Sequence, residues 1–312
     1  MSEAPAVLIG DIGGTNARFA LVRDAGPERL QRLTVASFAD PATAIAAVLA
    51  EADGPVDGAL LAVAGPVTGP TAELTNGRWQ FDAERLAVAA RLEKVVLLND
   101  FAAQALALPE LAADDLVPLG GPAEAADATA PLAVLGPGTG LGVAALLAQG
   151  TPLVGEGGHV TLPAVTGDEA EVLERLRHRY GHVSAERVLS GEGLAAVYQA
   201  VGGRHARSPS EVTTAARDRD PAAEKALALF FGFLGTVAGD VALTFGARGG
   251  VYLAGGILPR LVPELRQSDL YPRFVSKGRF REYLEAVPLR LVTHPDPALL
   301  GLARLARQMR AG

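Results

Sequence analysis

A short apolar run, Val7 to Gly10, breaks into Asp11-Ile12-Gly13-Gly14-Thr15 and resumes as Arg18-Phe19-Ala20-Leu21-Val22. Short runs of this composition, parted by glycines, read as strand, tight turn, strand. The pattern returns further on: Leu132 to Leu135, the turn Gly136-Pro137-Gly138-Thr139-Gly140, then Val143 to Leu147. The two hairpins open the two halves of the chain, and no short-period repeat accompanies them. Facing each other across a cleft, two such glycine–threonine turns would hold a polyphosphate.

Between and after the hairpins, buried strands alternate with helices. Ala59 to Val63 and Val95 to Leu98 read as strands, and Ala42 to Glu51, Asp82 to Leu92 and Phe101 to Leu108 as helical stretches. Helices follow at Asp168 to Arg179, Ser190 to Gln199 and Pro221 to Thr244, then a strand at Val251 to Ala254 and a helix from Ala298 to Arg310. This alternation predicts an α/β layer architecture. A chain of 312 residues, 49% hydrophobic and 20% charged, supports two packed domains rather than disorder. Pro109 to Pro131 mixes Asp, Ala, Gly and Pro and is the loosest stretch, so a domain crossing is expected there.

Several classes are excluded. The net charge of −7 lacks the basic footprint of a nucleic-acid binder. With no cysteine, disulfides, thiolate zinc sites and cysteine nucleophiles are impossible. The opening residues carry no basic segment of a signal peptide. Ala128 to Gly155 is uncharged, yet Pro131, Pro137, Pro152 and its glycines break any membrane-spanning helix. The expectation is a soluble, cytoplasmic protein with no membrane and no nucleic-acid partner.

The chemistry-bearing residues gather around the turns. Gly13 and Gly14 let backbone N–H groups approach an anion, Thr15 adds a hydroxyl, and Asp11 offers a carboxylate to a hydrated Mg²⁺ on the phosphates. A plain hairpin turn explains the same glycines. Gly136, Gly138 and Gly140 with Thr139 repeat the arrangement; no GxGxxG fits them, and no GKS or GKT marks a P-loop. Asn99-Asp100 follows a buried strand and opens a helix. Helix capping accounts for the pair, and so does a carboxylate at a strand's C-terminal end that takes a proton from a hydroxyl. The helix N-terminus would keep that carboxylate ionised.

Glu156 and His159 lie on the glycine-rich loop Gly155 to His159 and suit hydrogen bonding to a polyol. A zinc site using His178 and His182 lacks HExxH and is set aside. Glu186 reads equally as a solvated helix charge. Ser190, in VLSGEG, lacks the glycine of a nucleophile elbow.

Taken together, the segments resemble the bacterial ATP-dependent glucokinases of the non-repressor type, within the hexokinase–actin–heat-shock-chaperone ATPase superfamily. The resemblance rests on GDIGGTNARFAL (Gly10 to Leu21), TNGRWQF (Thr75 to Phe81), LLNDFAAQALAL (Leu97 to Leu108) and LGPGTGLGVA (Leu135 to Ala144). It continues through GEGGH (Gly155 to His159), SAERVLSGEGL (Ser184 to Leu194) and YLAGGI (Tyr252 to Ile257). The segments occur in family order and span essentially the whole chain.

The resemblance implies a two-domain actin-like ATPase fold of ribonuclease H-like type, with a nucleotide and sugar cleft between the domains. The small domain would be 1–109 plus 297–312 and the large one 110–296. Gly10, Asp11, Ile12, Gly13, Gly14 and Thr15 would form the first phosphate loop, and Gly136, Gly138, Thr139 and Gly140 the second. Gly255 and Gly256 would meet the adenosine. Asn99, Asp100, Glu156, His159 and Glu186 match glucose ligands, with Asp100 the catalytic base. ATP and Mg²⁺, the latter held by Asp11 through water, are the implied cofactors, and a homodimer is expected.

The repressor-type sugar kinases also carry DxGGT but hold a cysteine-rich zinc motif that this chain cannot make. Asp11 stands too near the start for a preceding helix-turn-helix, so no DNA-binding repressor is expected. A kinase for another hexose and a non-catalytic sugar sensor are the remaining alternatives.

Overall fold

The computed structural model describes residues 5–23, 26–204 and 208–311. Two compact units emerge. The first contains the chain through Leu111, Gly150–Val154 and the segment from His294 on; the second contains Ala112–Gln149 and Gly155–Thr293.

In the first unit the strands lie in the order Gly26–Thr34, Asn16–Arg23, Ala6–Ile12, Val56–Val63, Lys94–Asn99. Ala6–Ile12 and Asn16–Arg23 form the first hairpin, antiparallel, with Ile12 opposite Ala17. Val56–Val63 and Lys94–Asn99 join it in parallel. The parallel register has a direct consequence. Asp11, Ala62 and Leu98 share one row, and Ile12, Val63 and Asn99 the next. The C-terminal ends of three strands therefore come level, the place where open α/β sheets bind ligands.

Alternation along the strands feeds two faces. Leu8, Ile12, Phe19, Leu61 and Val63 pack with Ile45, Val48 and Leu86 of the helices Pro41–Ala50 and Ala83–Ala90. Ile9, Ala20, Leu60 and Ala62 pack instead with Ala103, Leu302, Ala303 and Ala306. Those last residues belong to the helices Asp100–Ala107 and Pro297–Ala311. The two helices touch backbone to side at Gly301, where an added Cβ would fall 1.9 Å from the Ala103 carbonyl oxygen.

The second unit repeats the same scheme. Five strands of its six-stranded sheet run in the order Leu141–Leu146, Leu132–Pro137, Gly250–Leu253, Leu289–Val292, Leu116–Gly120, and Pro152–Gly155 is the sixth, beside Leu141–Leu146. The first two form the second hairpin, antiparallel with Pro137 opposite Leu141; Gly250–Leu253 and then Leu289–Val292 pair in parallel. The echo between the hairpins is thus an echo of topology. The stretch Pro109 to Pro131 is less loose than its composition: Leu116–Gly120 is an edge strand, antiparallel to Leu289–Val292. Pro118 is tolerated because it lies at an edge, and that same proline hides the strand in the sequence.

Among the described residues one helix, Pro221–Phe245, is long and apolar enough to cross a membrane. Here 83% of its apolar window is buried within the protein. Asp220 caps its start, accepting from the amides of Ala222 and Ala223, and Gly246 ends it at a φ of 62°. Gly235 and Gly239 bring the carbonyls of Leu270 and Phe274 to within 2.2 and 2.5 Å of where a Cβ would stand. The helix Leu270–Val275 fills that groove.

Beside this contact Arg273 Nη1 lies 2.8 Å from Oε1 of Glu169, whose side chain is 1% exposed. Arg273 Nη2 also donates to Thr236 Oγ1 at 2.8 Å. The other Glu169 oxygen accepts from the amides of Val165 and Thr166.

Candidate active site

The first turn begins with an ion pair. Asp11 and Arg18 are cross-strand partners in the hairpin, so their side chains emerge on one face. Arg18 Nη1 donates to Asp11 Oδ2 at 2.8 Å, and Arg18 Nε lies 3.1 Å from Asp296 Oδ1. Asp296 also accepts from Arg32 Nη2 at 2.8 Å. Neither Arg18 nor Asp296 announces itself in the sequence as a site residue. Burial pushes the Asp11 carboxyl above its ordinary value of 3.8, against the pull of Arg18; nearby Asp296 adds to the rise. An ionised Asp11 therefore has electrostatic energy to gain from a further cation.

The glycines of this turn divide in role. The Gly13 amide closes the turn on the Asn16 carbonyl at 3.0 Å, and a Cβ on Gly13 would meet only that oxygen, at 3.5 Å. Gly14 is required by the chain itself, because a Cβ there would lie 2.0 Å from the Asn76 carbonyl oxygen. The TNGRWQF segment thus backs the turn. Thr15 is exposed, whereas Gly10 and Ile12 are buried strand residues. A Cβ on Gly10 would strike Phe19 at 2.8 Å.

Two strands along the same sheet end, Asn99 caps the helix Asp100–Ala107. Its Oδ1 accepts from the amides of Phe101 and Ala102 at 2.9 and 3.3 Å, and its Nδ2 donates to the Gly65 carbonyl at 3.1 Å. The capping reading of Asn99 is therefore real, and it fixes the side chain. Asp100 follows as the first residue of the helix, half-buried, where the N-terminal end of the helix dipole favours a negative charge.

The second unit carries the remaining residues. Gly138, Thr139 and Gly140 connect the hairpin strands, and the Gly138 amide donates to the Gly140 carbonyl at 2.8 Å. Gly136 is packed against the chain after the strand Gly250–Leu253: its Cβ would fall 2.7 Å from the Ala254 carbonyl carbon. Gly255, at a φ of 91°, returns the contact, with the Pro137 carbonyl oxygen 2.4 Å from its missing Cβ. Gly256 has open space around it. The second turn and the Gly255-Gly256 turn therefore adjoin through backbone alone.

Glu156 precedes and His159 ends a single 3₁₀ turn, Gly157–His159, with His159 Nε2 3.8 Å from Glu156 Oε2 and both side chains exposed. Glu186 is half-buried and its Oε2 accepts from the Leu141 amide at 2.9 Å, so it is no solvated helix charge. Among the described residues no three His, Asp or Glu side chains gather as a metal cage. His178 and His182 instead meet Glu174 and Thr161. Asp11, desolvated beside the glycine turn, has the hard oxygen donor that suits a Mg²⁺ keeping several of its waters.

Two α/β units, each led by a hairpin with a glycine–threonine turn and each continued by parallel strands, have the architecture of the actin-like ATPase fold. Comparison with known proteins narrows the class. The family model described as Glucokinase matches residues 8–309. The glucokinase of Paramagnetospirillum magneticum is 46% identical, covering 96% of this chain and 97% of its own. Among solved structures, a glucokinase from an Antarctic psychrotroph superposes with a TM-score of 0.87 at 34% identity, over 98% of this chain and 100% of that one. A ROK family glucokinase from Streptomyces griseus shares the fold, with a TM-score of 0.64 at 21% identity over 97% of this chain and 99% of that one. The chain belongs to the glucokinase family.

Proposed function

We infer that this protein transfers the γ-phosphoryl group of ATP to the 6-hydroxyl of glucose, giving glucose 6-phosphate and ADP. Family membership over residues 8–309 carries the reading. The strand register supports it, since it brings Asp11 and the Asn99-Asp100 pair to one sheet end.

Phosphoryl transfer passes through a loose transition state, so the protein's work is to position reactants and stabilise charge. Asp100 orients the 6-hydroxyl and accepts its proton as the bond to phosphorus forms. Asn99, locked by its cap and by Gly65, holds the helix start that carries Asp100 and offers its edge to the sugar. Glu156, His159 and Glu186 complete the proposed set of sugar ligands. A site of this kind rejects sugars lacking the matching hydroxyl, because its polar groups are then left unpaired.

Gly13, Gly14, Thr15, Gly138, Thr139 and Gly140 are the proposed donors to phosphate oxygens. Gly255 and Gly256 are proposed to lie against the adenosine. Asp11 would hold Mg²⁺ through water; when bound, the ion offsets phosphate charge in the transition state. The proposed assembly is a homodimer, the proposed location the cytoplasm, and the proposed domains 1–109 plus 297–312 and 110–296.

The deciding experiment is a coupled assay of the purified protein with ATP, Mg²⁺ and a panel of hexoses, following sugar 6-phosphate and ADP. Turnover preferring glucose supports the reading. Preference for another hexose overturns the substrate, and no turnover on any hexose, with glucose still raising the Tm, points to a sugar sensor.

A further inference from the structure

The turn Gly138-Thr139-Gly140 has two glycines in three residues and so little conformation of its own. Its shape is held from outside, by the segment Ser184–Gly191. At one end the Gly191 amide donates to the Gly138 carbonyl at 2.9 Å. Gly191 opens the helix Gly191–Ala200, whose cap is Ser190, accepting from the Gly193 amide at 3.1 Å. At the other end the Leu141 amide donates to Glu186 Oε2 at 2.9 Å.

The carboxylate fits closely there: a Cβ on Gly140 would stand 2.4 Å from that same oxygen. Glu186 is itself anchored, its amide donating to the Gly158 carbonyl at 2.8 Å. Gly158 in turn packs on the Leu141 carbonyl, 2.2 Å from where its Cβ would be. One residue thus joins the Glu156–His159 loop, through its backbone amide, to the turn proposed to receive phosphate, through its carboxylate.

We propose that Glu186 is a positioning residue for the phosphate turn, so that nucleotide affinity depends on its acceptor oxygen before any sugar is present. Its part in sugar binding and the turn's part in nucleotide binding both rest on the function inferred above; its hydrogen bond to the turn does not. An amide left without an acceptor in a partly buried place is costly, and the turn would shift to recover one. Because the carboxylate serves both ligands, sugar and nucleotide affinities are linked through it, and by equal factors in each direction.

The test is calorimetric titration of ADP, with Mg²⁺ and no sugar, into Glu186→Ala and Glu186→Gln. Both variants lose the charge, but only the glutamine keeps an acceptor for Leu141. The expected result is ADP binding about tenfold weaker in the alanine variant than in the glutamine variant, in line with one unsatisfied donor. Equal affinities in the two overturn the proposal. Should Glu186→Ala not fold, Glu186→Asp against the native protein supplies the contrast at constant charge, since the shorter side chain loses reach. Unchanged ADP affinity in Glu186→Asp likewise overturns it.

Glucose titrations on the same variants separate the two ideas. Native glucose affinity in Glu186→Gln, with the ADP contrast intact, refutes the sugar role alone. Loss of glucose binding with no ADP contrast refutes the positioning role alone.

Discussion

Arg18 and Asp11 face each other across the first hairpin, with guanidinium Nη1 2.8 Å from carboxylate Oδ2. The pair places a fixed cation beside the carboxylate proposed to serve the metal. Burial of Asp11 raises its pKa, and the charge and hydrogen bond of Arg18 oppose that rise. The net direction is upward, so ionised Asp11 weakens the free fold at pH values above its folded pKa. That cost fades as the pH falls toward 3.8 and vanishes below it.

Replacing Arg18 by glutamine removes the opposing influence, and the Asp11 pKa rises further. If catalysis needs the ionised carboxylate, the acid limb of the kcat/KM profile moves to higher pH in Arg18→Gln. An acid limb at the native position would detach Asp11 from that limb.

Asp100→Asn keeps the shape and the helix start but removes the proton acceptor. General-base loss costs about 10²–10⁴-fold in rate, so kcat should fall by that order while glucose affinity changes little. Near-native turnover in a well-folded variant would remove Asp100 from the role of base.

Gly301 is where the C-terminal helix lies on the helix that starts with Asp100. A methyl group there would meet the Ala103 carbonyl at 1.9 Å, so Gly301→Ala must push the helices apart. Overpacking of this kind costs about 1–3 kcal/mol. Chemical denaturation should read that loss, and kcat should fall more than KM rises, because the displaced element carries the proposed base rather than the nucleotide turns.

In the second unit, Arg273→Met strands Glu169, which is 1% exposed and pairs with Arg273 at 2.8 Å. Removing one partner of a buried ion pair costs about 3–5 kcal/mol. The double change Glu169→Gln with Arg273→Met should regain part of the loss, since glutamine still accepts from the amides of Val165 and Thr166. A double variant no more stable than the single one would contradict that account.

At the surface, Arg217 donates to Glu264 through Nε at 2.6 Å. Partial burial works against ionisation of Glu264, but the hydrogen bond of Arg217, a backbone hydrogen bond and the Arg217 charge together outweigh it and lower its pKa below 4.5. The stabilisation is present above that value and is lost as pH falls through the lower, folded pKa. The Tm difference between the native protein and Arg217→Gln should therefore shrink on acidification; a constant difference from neutral to strongly acid pH would show that the pair contributes no such linkage.

What the sequence determined by itself is local. The two hairpins are written in apolar runs parted by glycines, and the cap at Asp220 with Gly246 delimits the long helix, because strand, turn and helix preferences act over a few residues. The two turns, Asn99-Asp100 and the Gly155–His159 loop could be picked out because each lies in a short, unusual string of residues.

Tertiary structure decided the partnerships. Arg32 and Asp296 are 264 positions apart, and Glu186 and Leu141 are 45 apart; no local pattern pairs them. Leu116–Gly120 became a strand only when Leu289–Val292 arrived to take up its backbone groups. Gly301 looks like any other glycine, and Gly14 like a turn glycine alone, until the carbonyls of Ala103 and Asn76 come against them. Propensity sets which segments become strand or helix. Which buried donor meets which acceptor depends on chain segments brought together only by burying the cores they share.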